Sequence, residues 1–303
     1  MKIQLLREKL VLSAIACALA LFASPHASAQ GGPLCPQKLT SDLVAKPHNP
    51  TTRASSGTLY AAAKVDPREE AEYQAFFKLK ADAVDKRIQL GDAFVRKYPN
   101  GPFTEAVYSQ LSSAEYQKQD FNKMDEYADK ALALNPYDVT VLVFVGWVIP
   151  HSNDSAAKLD KAEQYEKHVL ELLPTLTKPA KMTDKEFALA RSEYESQAHS
   201  GMGLVYYQRE DFANAVAEMK KATSGASHPD PSDYFVMGKS LDQLDHYSDA
   251  AEAFTMCAAI PGGQQAICKQ KAESAKKEAA SKPTAAEGAG SSKLSAQQSP
   301  AAQ

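Results

Sequence analysis

The histidines are the first place to look for acid–base or metal chemistry, and their spacing supports neither. His48, His151, His168, His199, His228 and His246 stand too far apart for a local ligand pair of the H-x3–5-H kind. His199 falls at an apolar helical position, where a satisfied buried side chain is the simpler reading. Carboxylates are abundant, but they alternate with lysines at helical spacing, as on a solvated helix face, so no acid–base pair stands out. The chain has no G-x-S-x-G elbow, no H-E-x-x-H pair and no phosphate-cradling G-x-x-x-x-G-K. Gly201-Met202-Gly203 resembles part of a glycine-rich loop, yet it lies inside a helical pattern, where small residues serve close helix packing. No catalytic residue, cofactor site or metal site is therefore assigned. One polar loop keeps an enzymatic alternative open: His151-Ser152-Asn153-Asp154-Ser155 could serve an accessory subunit or an enzyme-associated domain.

Cysteine chemistry depends on compartment. Residues 1–29 read as a secretory signal peptide. Lys2, Arg7 and Lys9 form the charged start, Leu10 to Ala23 the apolar run, and Ala27-Ser28-Ala29 a small-residue cleavage site before Gln30. The apolar run is shorter than the roughly 20 residues a membrane span needs, and no other segment of the mature chain could span. Ala14-Ile15-Ala16-Cys17 lacks the leucine usual at a lipoprotein site, and the apolar run continues past it, which argues against lipid anchoring there. An exported protein, periplasmic or secreted, meets oxidising conditions. Cys257 and Cys268 then stand close enough in sequence to form a disulfide across Pro261-Gly262-Gly263, and Cys35 is left single. Formal net charge is −3, and basic and acidic residues are interleaved, so no phosphate-tracking surface is expected and nucleic acid is a poor partner.

The elements that would carry these residues read as helices. Residues 30–65 are rich in Pro, Thr, Ser and Ala and read as an irregular arm. Asp66-Pro67-Arg68-Glu69 opens the first helix, with Asp66 as cap and Glu69 placed to reach back in a capping box. Helical patterns follow to about Ala280, and residues 281–303 read as a disordered tail. Val139 to Ile149, VTVLVFVGWVI, is ambiguous: its β-branched residues favour a buried strand, whereas Leu142, Val145, Gly146 and Ile149 fit a helix register. Thr183-Asp184-Lys185-Glu186 forms a capping box before a long helix to about Gln208.

Residues 231–263 carry the clearest internal pattern. Tyr234, Met237, Gly238, Leu241, Ala250, Phe254 and Pro261 stand at the spacing W-x2-L-G-x2-Y, then A-x3-F, then P, and so resemble the tetratricopeptide repeat family. The proline arrives one residue early, and Tyr and Leu replace the consensus Trp and Tyr. His199, Met202, Gly203 and Tyr206 repeat the first part 35 positions earlier, close to the family period of about 34. The segment from Glu105 to Pro136 keeps the spacing with Ser112 in place of glycine, and Met124 and Ala128 exchange large for small. The resemblance implies an all-α fold: a right-handed α-solenoid of stacked helix pairs over residues 66–280, closed by a C-terminal capping helix.

In this family the first helices line a concave groove that accepts peptides or partner helices. The resemblance carries that role to Ser109, Ser113 and Tyr116, to Val143 and Trp147, to Leu204 and Tyr207, and to Phe235, Lys239 and Asp242. The lysines and asparagine with which some relatives hold carboxylate tails are replaced by serines and apolar residues. The implied function is an exported scaffold or adaptor for a protein or peptide. The Phe94 to Gln117 stretch is similar to repeats of outer-membrane assembly factors, which points to cell-envelope assembly. Self-association through the groove or the Cys35 arm is the structural alternative; oligomeric state and partner identity are not encoded in any motif.

Overall fold

The computed structural model describes residues 66–152, 155–180 and 182–282, and residues 44–45 as backbone. Residues 1–29, read above as a signal peptide, Cys35, Asp154 and residues 283–303 lie outside the described residues. Eleven α-helices fill most of the rest. Contacts divide the chain into two compact units, Met1–Asp230 and Pro231–Gln303, so the boundary falls inside the expected 66–280 span.

In the first unit, α1 (Pro67–Phe77) starts as the cap residue requires: the Asp66 carboxylate accepts the Arg68 N–H at 2.9 Å, with Pro67 at the first helical position. The expected capping box is not formed. Glu69 is buried, the Phe103 backbone N–H donates to its carboxyl, and that carboxyl occupies the space where a Cβ on Gly101 would lie 1.8 Å from Oε1. The Phe103 N–H takes the place of the helix-start N–H as the backbone partner of this carboxyl. Tyr73 stacks on Phe103 at 4.3 Å and joins Phe76, Phe94, Val107 and Leu111 in a core. Helix α2 (Val84–Lys97) packs more closely on α3 (Thr104–Gln117) than on α1, because Gly91 lets Leu111 approach; a Cβ there would stand 2.7 Å from Leu111 Cδ2.

Helix α4 (Phe121–Leu134) pairs with α3 and buries Met124 and Ala128, while the Ser112 hydroxyl donates to the Met124 carbonyl at 2.8 Å. The ambiguous apolar run is a helix, α5 (Val139–Val148), with Asp138 accepting from the Thr140 and Val141 N–H groups. Every residue of α5 is buried, so packing overrides the β-propensity of its valines. A 3-10 turn, Ile149–Ser152, leads to α6 (Ala156–Leu172), which pairs with α5. Past Leu173–Thr175, the two residues Leu176–Thr177 (β2) pair antiparallel with Val44–Ala45 (β1), Val44 opposite Thr177. The Thr183–Glu186 capping box then opens α7 (Asp184–Gln208), which packs on α5, α6 and α8 (Phe212–Gly225).

The second unit contains α9 (Pro231–Gln243), α10 (Tyr247–Ala259) and α11 (Gln265–Ser281). Cys257 and Cys268 are bonded, with Cα atoms 5.8 Å apart, joining α10 to α11.

Repetition shows in the turns. Gln119, Glu210 and Asp245 follow the first helices α3, α7 and α9, and each has a φ near the left-handed value, 62°, 59° and 59°. Each turn closes with the same pair of hydrogen bonds: Gln119 N–H to Tyr116 O and Asp120 N–H to Glu115 O recur at Glu210/Asp211 and at Asp245/His246. Glycine register repeats as well. A Cβ on Gly203 would lie 2.8 Å from Met219 Cε, and one on Gly238 would lie 2.7 Å from Phe254 Cε1, each glycine facing a large side chain of its partner helix.

Candidate functional site

Three consecutive first helices of the first unit, α3, α5 and α7, carry the groove positions expected from sequence. Tyr116 is buried edge-on against Phe144 at 5.4 Å and near Phe121 at 6.2 Å, and burial pushes its hydroxyl pKa up to about 12. Val143 and Leu204 are buried. The Trp147 indole N–H donates to the Ser200 hydroxyl at 3.2 Å, joining α5 to α7. Tyr207 is half-buried and meets Phe212 edge-on at 5.9 Å. The structure thus brings Tyr116 to α5 and Trp147 to α7. On α9, in the second unit, Phe235 is half-buried against Phe254 and the Cys257–Cys268 bridge, and Lys239 stands one turn further along, also half-buried.

The loop that kept an enzymatic reading open starts from a constrained histidine. His151 lies 4.1 Å from the Trp147 ring and its Nδ1 is 2.8 Å from the Trp147 carbonyl oxygen. A carbonyl only accepts, so Nδ1 carries a proton there. Partial desolvation by the surrounding protein lowers the His151 pKa from the ordinary imidazole value, although the residue as a whole is exposed to solvent. The Gln208 side-chain amide donates to the Pro150 carbonyl at 2.8 Å and ties the end of α7 to this turn. His199, at its apolar register position, holds Glu218 Oε2 through Nδ1 at 2.6 Å, and Lys221 holds the other oxygen at 2.8 Å. Among the described residues no group of three or more His, Cys, Asp or Glu could hold a metal ion, and no helix is long and apolar enough to cross a membrane.

Sequence reasoning missed Glu166. Its carboxyl is fully buried, and neither oxygen has a hydrogen-bond partner. It lies between α5 and α7: a Cβ on Gly146 would come within 2.6 Å of Oε1, and one on Gly201 within 2.1 Å. Burial holds its pKa well above the ordinary carboxylate value. A signal was present, since Leu159, Ala162, Glu166, Val169 and Leu173 follow one helical stripe, which places a carboxyl on the core face of α6.

Helical hairpins in tandem, with a glycine of the first helix against a large side chain of the second and a left-handed residue in the turn, define the class: a tetratricopeptide-like all-α repeat protein. No family model matches the chain, and no curated protein matches it. Among solved structures, the crystal structure of a tetratricopeptide repeat protein from Parabacteroides merdae ATCC 43184 is similar over 68% of this chain and 99% of that chain, with 13% identity and a TM-score of 0.30. The class rests on the register and turn geometry above.

Proposed function

We propose that this chain is an exported scaffold or adaptor that binds a protein or peptide partner along the inner side of α3, α5 and α7, in the service of cell-envelope assembly. The observation that carries this reading is the presence of one large aromatic, Tyr116, Trp147 or Tyr207, on each of three successive first helices of one unit. Aromatic side chains bury large areas at small entropic cost, and Tyr and Trp are enriched at interface hot spots. Phe235 and Lys239 form a second candidate patch on α9. The signal-peptide pattern and the Cys257–Cys268 bond support export into an oxidising compartment.

Tyr207 is the informative position, because it is half-exposed and its truncation leaves the core intact. Tyr207→Ala is expected to weaken partner capture in a periplasmic cross-linking pull-down by about tenfold or more, the loss typical of a hot spot, with helix content by circular dichroism unchanged. Trp147→Ala should abolish capture too, but it also removes a buried side chain at about 3–5 kcal/mol and is read only alongside a stability measurement. Capture that survives Tyr207→Ala, Phe235→Ala and Lys239→Ala alike would move the interface elsewhere.

A further inference from the structure

Helices α5, α6 and α7 pack on one another pairwise, and Glu166 stands where they meet. Along its own stripe of α6, Leu159, Ala162 and Val169 are buried and apolar, so that face offers the carboxyl no partner. On α5 and α7 it meets Gly146 and Gly201, and its Oε1 fills the space that a Cβ on either would need. Side-chain bonds cross the α5–α7 seam around these glycines. Thr140 Oγ1 and the Tyr194 hydroxyl lie 3.2 Å apart before them, and the Gln208 amide reaches the Pro150 carbonyl at 2.8 Å beyond them. The Trp147–Ser200 bond, at 3.2 Å, joins the residues next to the two glycines.

A carboxylate at this point would need a cation or water. Helix α5 has no charged residue. On α6, Lys161 is held by Asp125 and Asp129, Lys167 by Glu163, and His168 faces Glu171. On α7, Arg209 is held by Asp160 and Glu163, and His199 by Glu218. His151, in the 3-10 turn against α6, rests on Trp147. No neighbouring charge contributes to the raised pKa of Glu166, whose cause is burial alone. Water is what remains. It enters with least displacement between Gly146 and Gly201, where backbone stands on both sides and no side chain has to be turned out.

We propose that the α5–α7 seam is a proton-operated latch: neutral Glu166 lets it close, and loss of the proton draws water between Gly146 and Gly201, breaks the Trp147–Ser200 bond and uncovers Trp147. The direction follows from the sign of the shift. The closed seam holds the proton, so it persists at acid pH and opens as pH rises through the value for the folded carboxyl. An uncovered Trp147 is then available to a partner, a consequence that rests on the reading of the inner side as the binding surface.

Trp147 is the only tryptophan of the chain, so its acrylamide quenching reads the seam directly. In the full chain, quenching is expected to rise about twofold or more between about pH 5 and about pH 9, with helix content by circular dichroism retained. The rise should be absent from Glu166→Gln and from Glu166→Leu, whose neutral side chains leave the seam closed throughout; the apolar variant serves if the amide variant fails to fold. His151→Gln should keep the rise. No rise in the native chain would overturn the latch. So would a rise that persists in the folded Glu166 variants or vanishes in His151→Gln, since it would then belong to the imidazole beside Trp147. The two readings separate cleanly. Quenching that follows Glu166 while partner capture stays the same at every pH keeps the latch and removes the inner side as the partner surface; capture lost in Tyr207→Ala with quenching flat in the native chain does the reverse.

Discussion

Glu166 concentrates the cost of burying a polar group at one residue. A fully enclosed carboxyl without a hydrogen-bond partner is tolerated when it is neutral, which is why burial raises its pKa above the ordinary value of 4.5. The sign of the linkage follows. Above about pH 4.5 the unfolded chain has released this proton and the folded chain retains it, so this group makes stability fall as pH rises, by about 1.4 kcal/mol per unit, until the folded carboxyl ionises. Urea midpoints from pH 4.5 to 8 should therefore fall more steeply for the native chain than for Glu166→Gln; parallel profiles would contradict a buried neutral acid. The flanking glycines give a second check. Gly201→Ala should destabilise by about 1–3 kcal/mol through overpacking, and much of that loss should disappear in the Glu166→Ala background, since the Cβ would then meet a cavity.

At the scale of elements, the repeat is held by turn geometry and close helix approach. Gln119, Glu210 and Asp245 adopt a left-handed conformation that costs a side-chain-bearing residue about 1–2 kcal/mol, partly offset in any glycine variant by the entropy of the unfolded chain. Gln119→Gly should accordingly raise stability by about 0.5–1 kcal/mol in thermal or urea unfolding. The opposite sign is expected where glycine serves packing. Gly238→Val would drive its side chain into the Phe254 ring, and a loss of about 1–3 kcal/mol is expected; a neutral result would undo the assigned register. The Cys257–Cys268 bond closes the short connection between α10 and α11, and its removal by paired substitution to alanine should cost about 3 kcal/mol on the chain-entropy account.

For the whole molecule, the reading as an exported scaffold makes two chemical statements that mass spectrometry can check together. The mature chain should begin at Gln30, and its denatured, unreduced form should hold one free thiol, Cys35; three free thiols would remove the bridge. How far this protein can be read from sequence follows from the range of the forces involved. Helix starts at Asp66 and Thr183, the long helix to Gln208 and the glycine register at Gly203 and Gly238 were legible because caps and i, i+4 spacing act within one or two turns. The run VTVLVFVGWVI was legible only through its register, since local propensity pointed to a strand and enclosure by α4, α6 and α7 decided for a helix. The candidate surface was legible in position but not in exposure. Sequence placed Tyr116 and Trp147 on the first helices; tertiary structure buried them, turned Glu69 away from its own helix start toward Phe103, and set Glu166 between two glycines. Spacing along a helix determines which residues share a face, whereas what packs against that face depends on segments distant in sequence, and that part only the folded chain supplies.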